Sequence, residues 1–505
     1  MSAGPTSNLS TGGRYALTIA ALMATYMQGV NISIPNAALS YIQGSLSMSD
    51  DEIGWLFTSY IAPSLVIMPL TPWLVGSYGR KVVLQISLAI FTLGVVLVTC
   101  TTNPIQHVLA RIVQGAASGP LAPLSMAILL DSLPPARRPR IGLALGAAGL
   151  LGISSGPGIG GWLSEFHGWH SIYYFSLPMA GFIFLAVTLF WSEKKAAQKP
   201  SFDFFGFATF SLGVTVLQML LDRGERLEWF ASTEIWAETI VSATGFYLFF
   251  AHILTAKTHF FDKGLFRDRN FILSTIMYFA VGFVLLPTLA LTSPMLEELL
   301  NYPVDTTGYM AIPRGLTLVG SLILVGFSPA RIDPRVFVIG GIALIAYANW
   351  QMLDYSPAMD WRPVAIAGLL QGAGLGMSIL ALTKLAFATL EQKLHPEGGM
   401  IFNLFRLYGS AIGISVVQIY FYNNTQAMHL ALAKNLAPHH AAAHVTGSLA
   451  KPELAMLNDL ITGQAAIVAI LGQFKILLFA ILIVSPLVFF LRQPRLAVEI
   501  HGAAK

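Results

Sequence analysis

The chain has 505 residues, of which 55% are hydrophobic and only 11% charged, with a formal net charge of +4. Soluble domains carry about 25% charged residues, so a water-soluble enzyme core is excluded, as is a nucleic-acid surface, which needs a dense basic patch. The single cysteine, Cys100, excludes intrachain disulfides and cysteine-cluster metal sites.

Apolar runs of about twenty residues, the length that crosses a bilayer core as a helix, recur along the chain between short polar breaks and predict fourteen transmembrane helices. The first, 15–37, follows Arg14; it is too long for a signal peptide and lacks a small-residue cleavage site, so it is expected to remain as a span. The spans 53–76, 82–102, 106–130, 141–163 and 171–191 complete an N-terminal six-helix bundle over residues 15–191. A linker, 192–270, carries two inserted spans at 204–221 and 236–256. A second six-helix bundle over 271–491 holds spans at 271–296, 307–328, 336–353, 363–388, 400–422 and 469–491, with a long loop at 423–463. Residues 1–14 and 492–505 form the tails.

Lysine and arginine collect in alternate breaks: Arg14, Arg80/Lys81, Arg137/Arg138/Arg140, Lys194/Lys195/Lys199, Lys393 and Arg492/Arg495. Positive residues beside span ends stay cytoplasmic, so both termini are expected in the cytoplasm, loop 423–463 in the periplasm, and the chain in the inner membrane as a multi-pass protein.

Repetition divides the spans. Gln114-Gly115-Ala116 in the fourth recurs 257 residues later as Gln371-Gly372-Ala373 in the twelfth, and Gly152-x-x-x-Gly156 recurs at the same offset as Gly409-x-x-x-Gly413. Two parallel six-helix repeats place a site between them at the membrane midplane, with the seventh and eighth spans as an insertion.

The fifth span reads Gly152-Ile-Ser-Ser-Gly156-Pro157-Gly158-Ile159-Gly160-Gly161, which resembles the GxxxGPxxGG signature of antiporters in the major facilitator superfamily. Arg111-Ile-Val-Gln114-Gly115, Pro313-Arg314-Gly315, Asn403-Leu-Phe-Arg406 and Leu217-Gln-Met-Leu-Leu-Asp222-Arg223-Gly224 resemble further motifs of that superfamily's fourteen-span drug:proton antiporters of the EmrB/QacA type, nearer the EmrB side. The likeness runs from about Tyr15 to Phe490. It implies an all-α membrane protein with the major facilitator fold, two six-helix bundles plus two inserted helices. It also implies export of amphipathic organic compounds in exchange for protons by alternating access, and, on the EmrB side, a periplasmic adaptor (membrane fusion protein) and an outer-membrane channel as partners. Neither a cofactor nor an enzymatic reaction is implied, and the sequence holds no Walker loop, nucleophile elbow or zinc-protease motif. An importer of a small organic solute, or a non-transporting membrane sensor or scaffold, are the alternatives on the same fold.

Charged groups inside spans cost about 2.5–3.5 kcal/mol each on insertion scales and need a reason. Arg111 is expected to face a water-filled substrate cavity with Gln28, Asn31, Tyr60, Gln114, Asn403 and Arg406. Asn31 stands where the family carries an aspartate, and an amide cannot titrate near neutral pH. The proton carrier is therefore expected elsewhere, at Asp222 first, then Asp131 or Glu297. A neutral position beside Arg111 leaves positive potential that favours anionic or zwitterionic substrates. Gly152, Gly156 and Gly160 share one helix face that lets a neighbouring backbone approach closely, and with the bend at Pro157 and with Gly161 they are expected to seal or hinge the cavity. The loop Gly79-Arg80-Lys81 keeps the family's turn and basic pair, while Gly76 and Ser77 replace the usual aspartate and arginine, so the inter-helix charge latch there should be weaker. The outer loop, with His429, His439, His440 and His444, is expected to form a helical hairpin for the adaptor and no metal site.

Overall fold

The computed structural model describes residues 11–49, 52, 54–133, 141–191, 202–224, 226–256, 262, 264–329, 332–434 and 451–492. Among them fourteen helices are long and apolar enough to cross a membrane. We number them α1 (Thr11–Leu46), α2 (Trp55–Tyr78), α3 (Arg80–Thr99), α4 (Pro104–Ser132), α5 (Ile141–His167), α6 (Ser171–Phe190), α7 (Phe204–Arg223), α8 (Thr233–Thr255), α9 (Arg269–Glu297), α10 (Val304–Phe327), α11 (Pro334–Asp354), α12 (Trp361–Phe387), α13 (Glu397–Lys434) and α14 (Ala455–Phe490). The described residues contain no strand.

Proline, which removes a backbone donor and crowds the preceding turn, marks the irregular points. Helix α1 tightens to a 3-10 turn at Ile34–Ala38 around Pro35, α2 does so at Met68–Leu70 around Pro69, and α9 ends in a π-turn after Pro294. Gly79 adopts φ 86° between α2 and α3, a backbone conformation that glycine takes without strain and that lets the two helices meet in a one-residue turn. Large apolar side chains such as Leu93, Leu185, Leu189, Tyr247 and Leu254 cover the outside of the bundle, as a hydrocarbon solvent requires.

In the first half α5 packs on α1 and α4 on α2; in the second, α13 packs on α9 and α12 on α10. The repeated motifs occupy equivalent places. A side chain at Gly115 would run into the Tyr60 carbonyl of α2, and one at Gly372 into the Arg314 carbonyl of α10. Gln114 Nε2 donates to Asn31 Oδ1 of α1 at 3.0 Å, while Gln371 Nε2 donates to Thr288 Oγ1 of α9, 257 residues after Asn31, at 3.1 Å. Helices α7 and α8 pack on each other, and α7 also touches α2 and α13.

The expected outer loop is largely helical. Its first limb continues α13 within one helix, His395–Lys434, whose 40 residues span about 60 Å against a hydrocarbon core of about 30 Å. Its second limb begins at Lys451, and His429 Nε2 meets Asn458 Oδ1 between the limbs at 3.1 Å. His439, His440 and His444 lie outside the described residues, as do Arg137, Arg138, Arg140, Lys194, Lys195 and Lys199.

Candidate functional site

The two ends of the bundle differ. At the end where α2 turns into α3, here the Arg80 end, a cavity of about 400 Å³ lies between the halves. Its walls come from α1 (Thr25, Gln28, Gly29), α4 (Pro123, Met126), α5 (Gly142 to Ile153) and, across the seam, Tyr278 of α9 and Met400, Asn403 and Arg406 of α13. At the other end, the Asp222 end, the halves are in contact. Asn36 Nδ2 of α1 donates to the Leu289 carbonyl of α9 at 2.7 Å, and Ser40 Oγ of α1 donates to Glu297 Oε2 of α9 at 2.8 Å.

Of the residues expected in the cavity, Gln28, Asn403 and Arg406 line it. Arg406 is the one lysine, arginine, aspartate or glutamate among the lining residues, and His395 the one histidine. The Arg406 guanidinium is oriented by Asn403 Oδ1, which accepts from Nη2 at 2.9 Å and Nε at 3.3 Å, and its Nη1 has no hydrogen-bond partner. Asn403 also reaches across to Met68 Sδ of α2 at 3.9 Å. The rest of the wall is mostly apolar, with Met68, Met126 and Met400 as adaptable surfaces.

Asn31, Tyr60, Arg111 and Gln114 do not reach that cavity. They are fully buried behind it as one network within the first half. Arg111 Nη1 donates to Gln114 Oε1 at 2.7 Å, Nη2 to the Asn31 carbonyl at 3.1 Å, and the guanidinium lies 4.4 Å above the Tyr60 ring and 5.6 Å from Tyr173. Asn31 Nδ2 donates to Ser176 Oγ at 2.7 Å, and His107 Nε2 meets Tyr173 Oη at 3.2 Å. Tyr173, Ser176 and His107 were not foreseen; a buried histidine one turn before Arg111 was the available signal. The desolvation of Arg111 is met by carbonyls and ring faces, not by a carboxylate. In the second half, on α10, the buried Arg314 Nη2 donates to the Leu285 carbonyl at 2.7 Å.

The glycines of α5 serve two partners. Side chains at Gly152, Gly156 and Gly160 would strike α1, at Tyr26, Ser33 and Ile34, so that face packs inside the first half. The contact between halves lies on the offset face: a Cβ at Gly161 would stand 2.7 Å from the Val304 carbonyl of α10, and one at Gly308 of α10 would stand 2.6 Å from the Pro157 carbonyl.

None of the three expected proton carriers lines the cavity. Asp131 accepts from Arg80 Nη1 at 2.9 Å and ties α4 to the α2–α3 turn, with Lys81 Nζ donating to the Thr188 carbonyl at 2.8 Å. A charge contact therefore exists at that turn despite Gly76 and Ser77. Glu297 lies in the closed contact with Ser40. Asp222 accepts from Ser415 Oγ of α13 at 2.5 Å and from Gln218 Nε2 at 2.9 Å.

Comparison with known proteins completes the description. The family model of the Major Facilitator Superfamily matches residues 19–414. The chain is 29% identical over 491 residues to the fatty acid resistance protein FarB of Neisseria gonorrhoeae, covering 95% of this chain and 96% of that protein. It is 26% identical over 425 residues to the multidrug export protein EmrB of Escherichia coli K12, covering 84% and 83%. Among solved structures, a bacterial homologue of the human lysosomal transporter Spinster, in an inward-facing and occupied conformation, superposes with a TM-score of 0.59 at 13% identity over 95% of this chain and 97% of that one.

Proposed function

Since the chain belongs to the Major Facilitator Superfamily, we propose that it is a secondary active exporter of amphipathic organic compounds, driven by proton antiport through alternating access. The observation that carries this reading is the cavity between the halves, apolar over most of its wall and holding, among the described lining residues, one formal charge, Arg406. An amphipathic anion fits such a wall: its tail packs against Met68, Met126 and Met400, and its charged end is drawn toward the Arg406 guanidinium, with Asn403 and Gln28 beside it. The positive potential expected near Arg111 is thus supplied at the cavity by Arg406. A relative named for fatty acid resistance and others named for multidrug export agree with this substrate class.

Alternating access follows from where the contacts lie. With the cavity at the Arg80 end and the halves joined at the Asp222 end, exchange requires the Asn36–Leu289, Ser40–Glu297 and Gly161–Val304 contacts to part while the cavity walls close. From the distribution of basic residues we read the Arg80 end as cytoplasmic and the membrane as the inner one, and on that reading this conformation opens inward. Coupling then resides at a carboxylate, Asp222 first, with Glu297 at the closed end and Asp131 at the Arg80 end behind it. The hairpin formed by α13 and α14 beyond the bilayer is read as the surface for a periplasmic adaptor that passes substrate to an outer-membrane channel. Accumulation of a fluorescent fatty-acid anion and of ethidium in cells with and without the protein tests the reading. Lower anion accumulation with little change for ethidium supports it, and unchanged accumulation of both rejects it.

A further inference from the structure

The halves meet along two seams. Helix α7 touches both α2 and α13 beside one of them, whereas α5 and α10 meet directly at the other. Along this second seam the two backbones nearly touch: a Cβ at Gly315 would stand 2.5 Å from Ser154 Cβ, and one at Gly308 would stand 2.6 Å from the Pro157 carbonyl. Helices that approach so closely at small residues leave a furrow outside the contact, and a groove of about 530 Å³ lies there. Its walls include Leu151, Ile159 and Trp162 of α5 and Tyr309, Ile312 and Leu316 of α10, and no charged residue is among the described lining residues. All six but Ile159 are exposed on the outside of the bundle, and the groove shares no lining residue with the substrate cavity.

We propose that this groove is a phospholipid site, which takes an acyl chain of the leaflet at the Asp222 end between α5 and α10 and directs a primary-amine headgroup toward Glu165 and Asp305. From Leu151 to Trp162 is eleven residues, about 16 Å along the axis and half of a hydrocarbon core of about 30 Å, so the groove is as long as one leaflet is deep. In a hydrocarbon solvent an unfilled furrow forfeits dispersion contacts with its walls, and an acyl chain laid along it restores them. Trp162 bounds the groove toward the Asp222 end, where an indole sits at the level of the headgroups.

Charge selects the headgroup. Glu165 follows Trp162 by three residues on α5, is exposed, and accepts from Tyr41 Oη at 2.7 Å. Asp305 precedes Tyr309 by one turn of α10, and its Cα lies 3.4 Å from where a Cβ at Gly161 would stand, so one carboxylate from each half borders the same end of the groove. No lysine or arginine occurs in residues 141–191 or 270–313. An anionic headgroup or a fatty-acid carboxylate would therefore meet two carboxylates and no basic side chain from these segments, whereas an ammonium brings N–H donors to both. The walls come from both halves, and the Gly161–Val304 contact between them must part when the Asp222 end opens, so a seated lipid favours the conformation closed at that end. That bias rests on the alternating-access reading; the site itself does not.

Brominated acyl chains quench tryptophan fluorescence on contact, and the difference between the parent and Trp162→Phe isolates the Trp162 signal. The full chain is reconstituted in phosphatidylcholine vesicles that contain a minor fraction of brominated phosphatidylethanolamine, phosphatidylglycerol or phosphatidylcholine. The site predicts that the ethanolamine lipid quenches Trp162 at a fraction about three to ten times lower than the other two, the range that two exposed ion pairs supply, and that Glu165→Gln with Asp305→Asn removes the preference. Equal quenching by the three headgroups overturns the site. So does stronger quenching by a brominated fatty acid, which would make the groove part of the substrate's path. The bias is read separately in a Cys100→Ser, Gln28→Cys background, where labelling by an impermeant maleimide from the Asp222 side should fall about three- to tenfold in ethanolamine-rich vesicles relative to phosphatidylcholine, and should not fall in the double-carboxylate variant. Headgroup preference at Trp162 with labelling unchanged keeps the lipid site and refutes the bias.

Discussion

Gly160 and Gly161 are neighbours in sequence that face different partners, and alanine at each should give opposite failures. A methyl at Gly160 overlaps the Ile34 carbonyl of α1 and comes within 3.2 Å of Ile34 Cγ1, inside the first half. A methyl at Gly161 stands 2.7 Å from the Val304 carbonyl of α10, across the seam, so the two halves must separate there by roughly 0.5 Å to restore ordinary contact. Overpacking a close contact costs about 1–3 kcal/mol. At Gly160 that cost falls on folding, because α1 and α5 stay together throughout the cycle. At Gly161 it falls on one conformation only, and 1–3 kcal/mol reduces the population closed at the Asp222 end by roughly 5–150-fold. Gly160→Ala should therefore lower the yield and unfolding temperature of the purified protein, and Gly161→Ala should leave both near the parent. In a Cys100→Ser, Gln28→Cys background, Gly161→Ala should raise labelling of Cys at position 28 by an impermeant maleimide added from the Asp222 side. Unchanged labelling in Gly161→Ala, together with normal stability in Gly160→Ala, would refute this division of the two faces.

Arg406→Gln removes the one formal charge among the described lining residues and should weaken binding of an anionic amphiphile about 10–100-fold, measured as the shift in the dose dependence of thermal stabilisation, with a neutral amphiphile nearly unaffected. Asn31→Asp places a carboxylate beside Arg111 behind the cavity, so it should fold and leave cation export within about twofold of the parent, read as ethidium efflux. Asp131→Asn breaks a contact whose side chains are 40% and 25% exposed, so its cost should stay below about 1 kcal/mol in an unfolding titration and transport should persist. Deleting residues 435–450 should spare membrane insertion and lower resistance only in cells that contain the adaptor; equal loss without the adaptor would argue against the partnership.

The spans and the repeat were legible because hydropathy and register are carried by the chain itself. The offset that links Gln114-Gly115 to Gln371-Gly372 also links Asn31 to Thr288, the acceptors of those two amides. Partner identity was not legible. Glycine spacing in α5 announces a close backbone without saying whose, and the backbone against Gly152, Gly156 and Gly160 is that of α1, not of the other half. Arg111 and Gln114 read as cavity residues because polar groups in a span usually face water, yet Tyr60, Tyr173 and the Asn31 carbonyl satisfy them in the interior. The surroundings of Asp222 were not legible because Ser415, which donates to it at 2.5 Å, is 193 residues away. The ends of α13 and α14 were drawn short because their outer turns are polar enough to resemble a loop, although helix continues to Lys434 and resumes at Lys451.

The account turns on exchange of substrate for protons through Asp222, and inverted membrane vesicles containing the full chain test it most directly. Adding an anionic amphiphile to the outer medium should drive its uptake together with release of protons from the acidified lumen, and Asp222→Asn should abolish both the proton release and the concentrative uptake. Uptake that proceeds without proton movement, or an Asp222→Asn protein that matches the parent, would contradict the account.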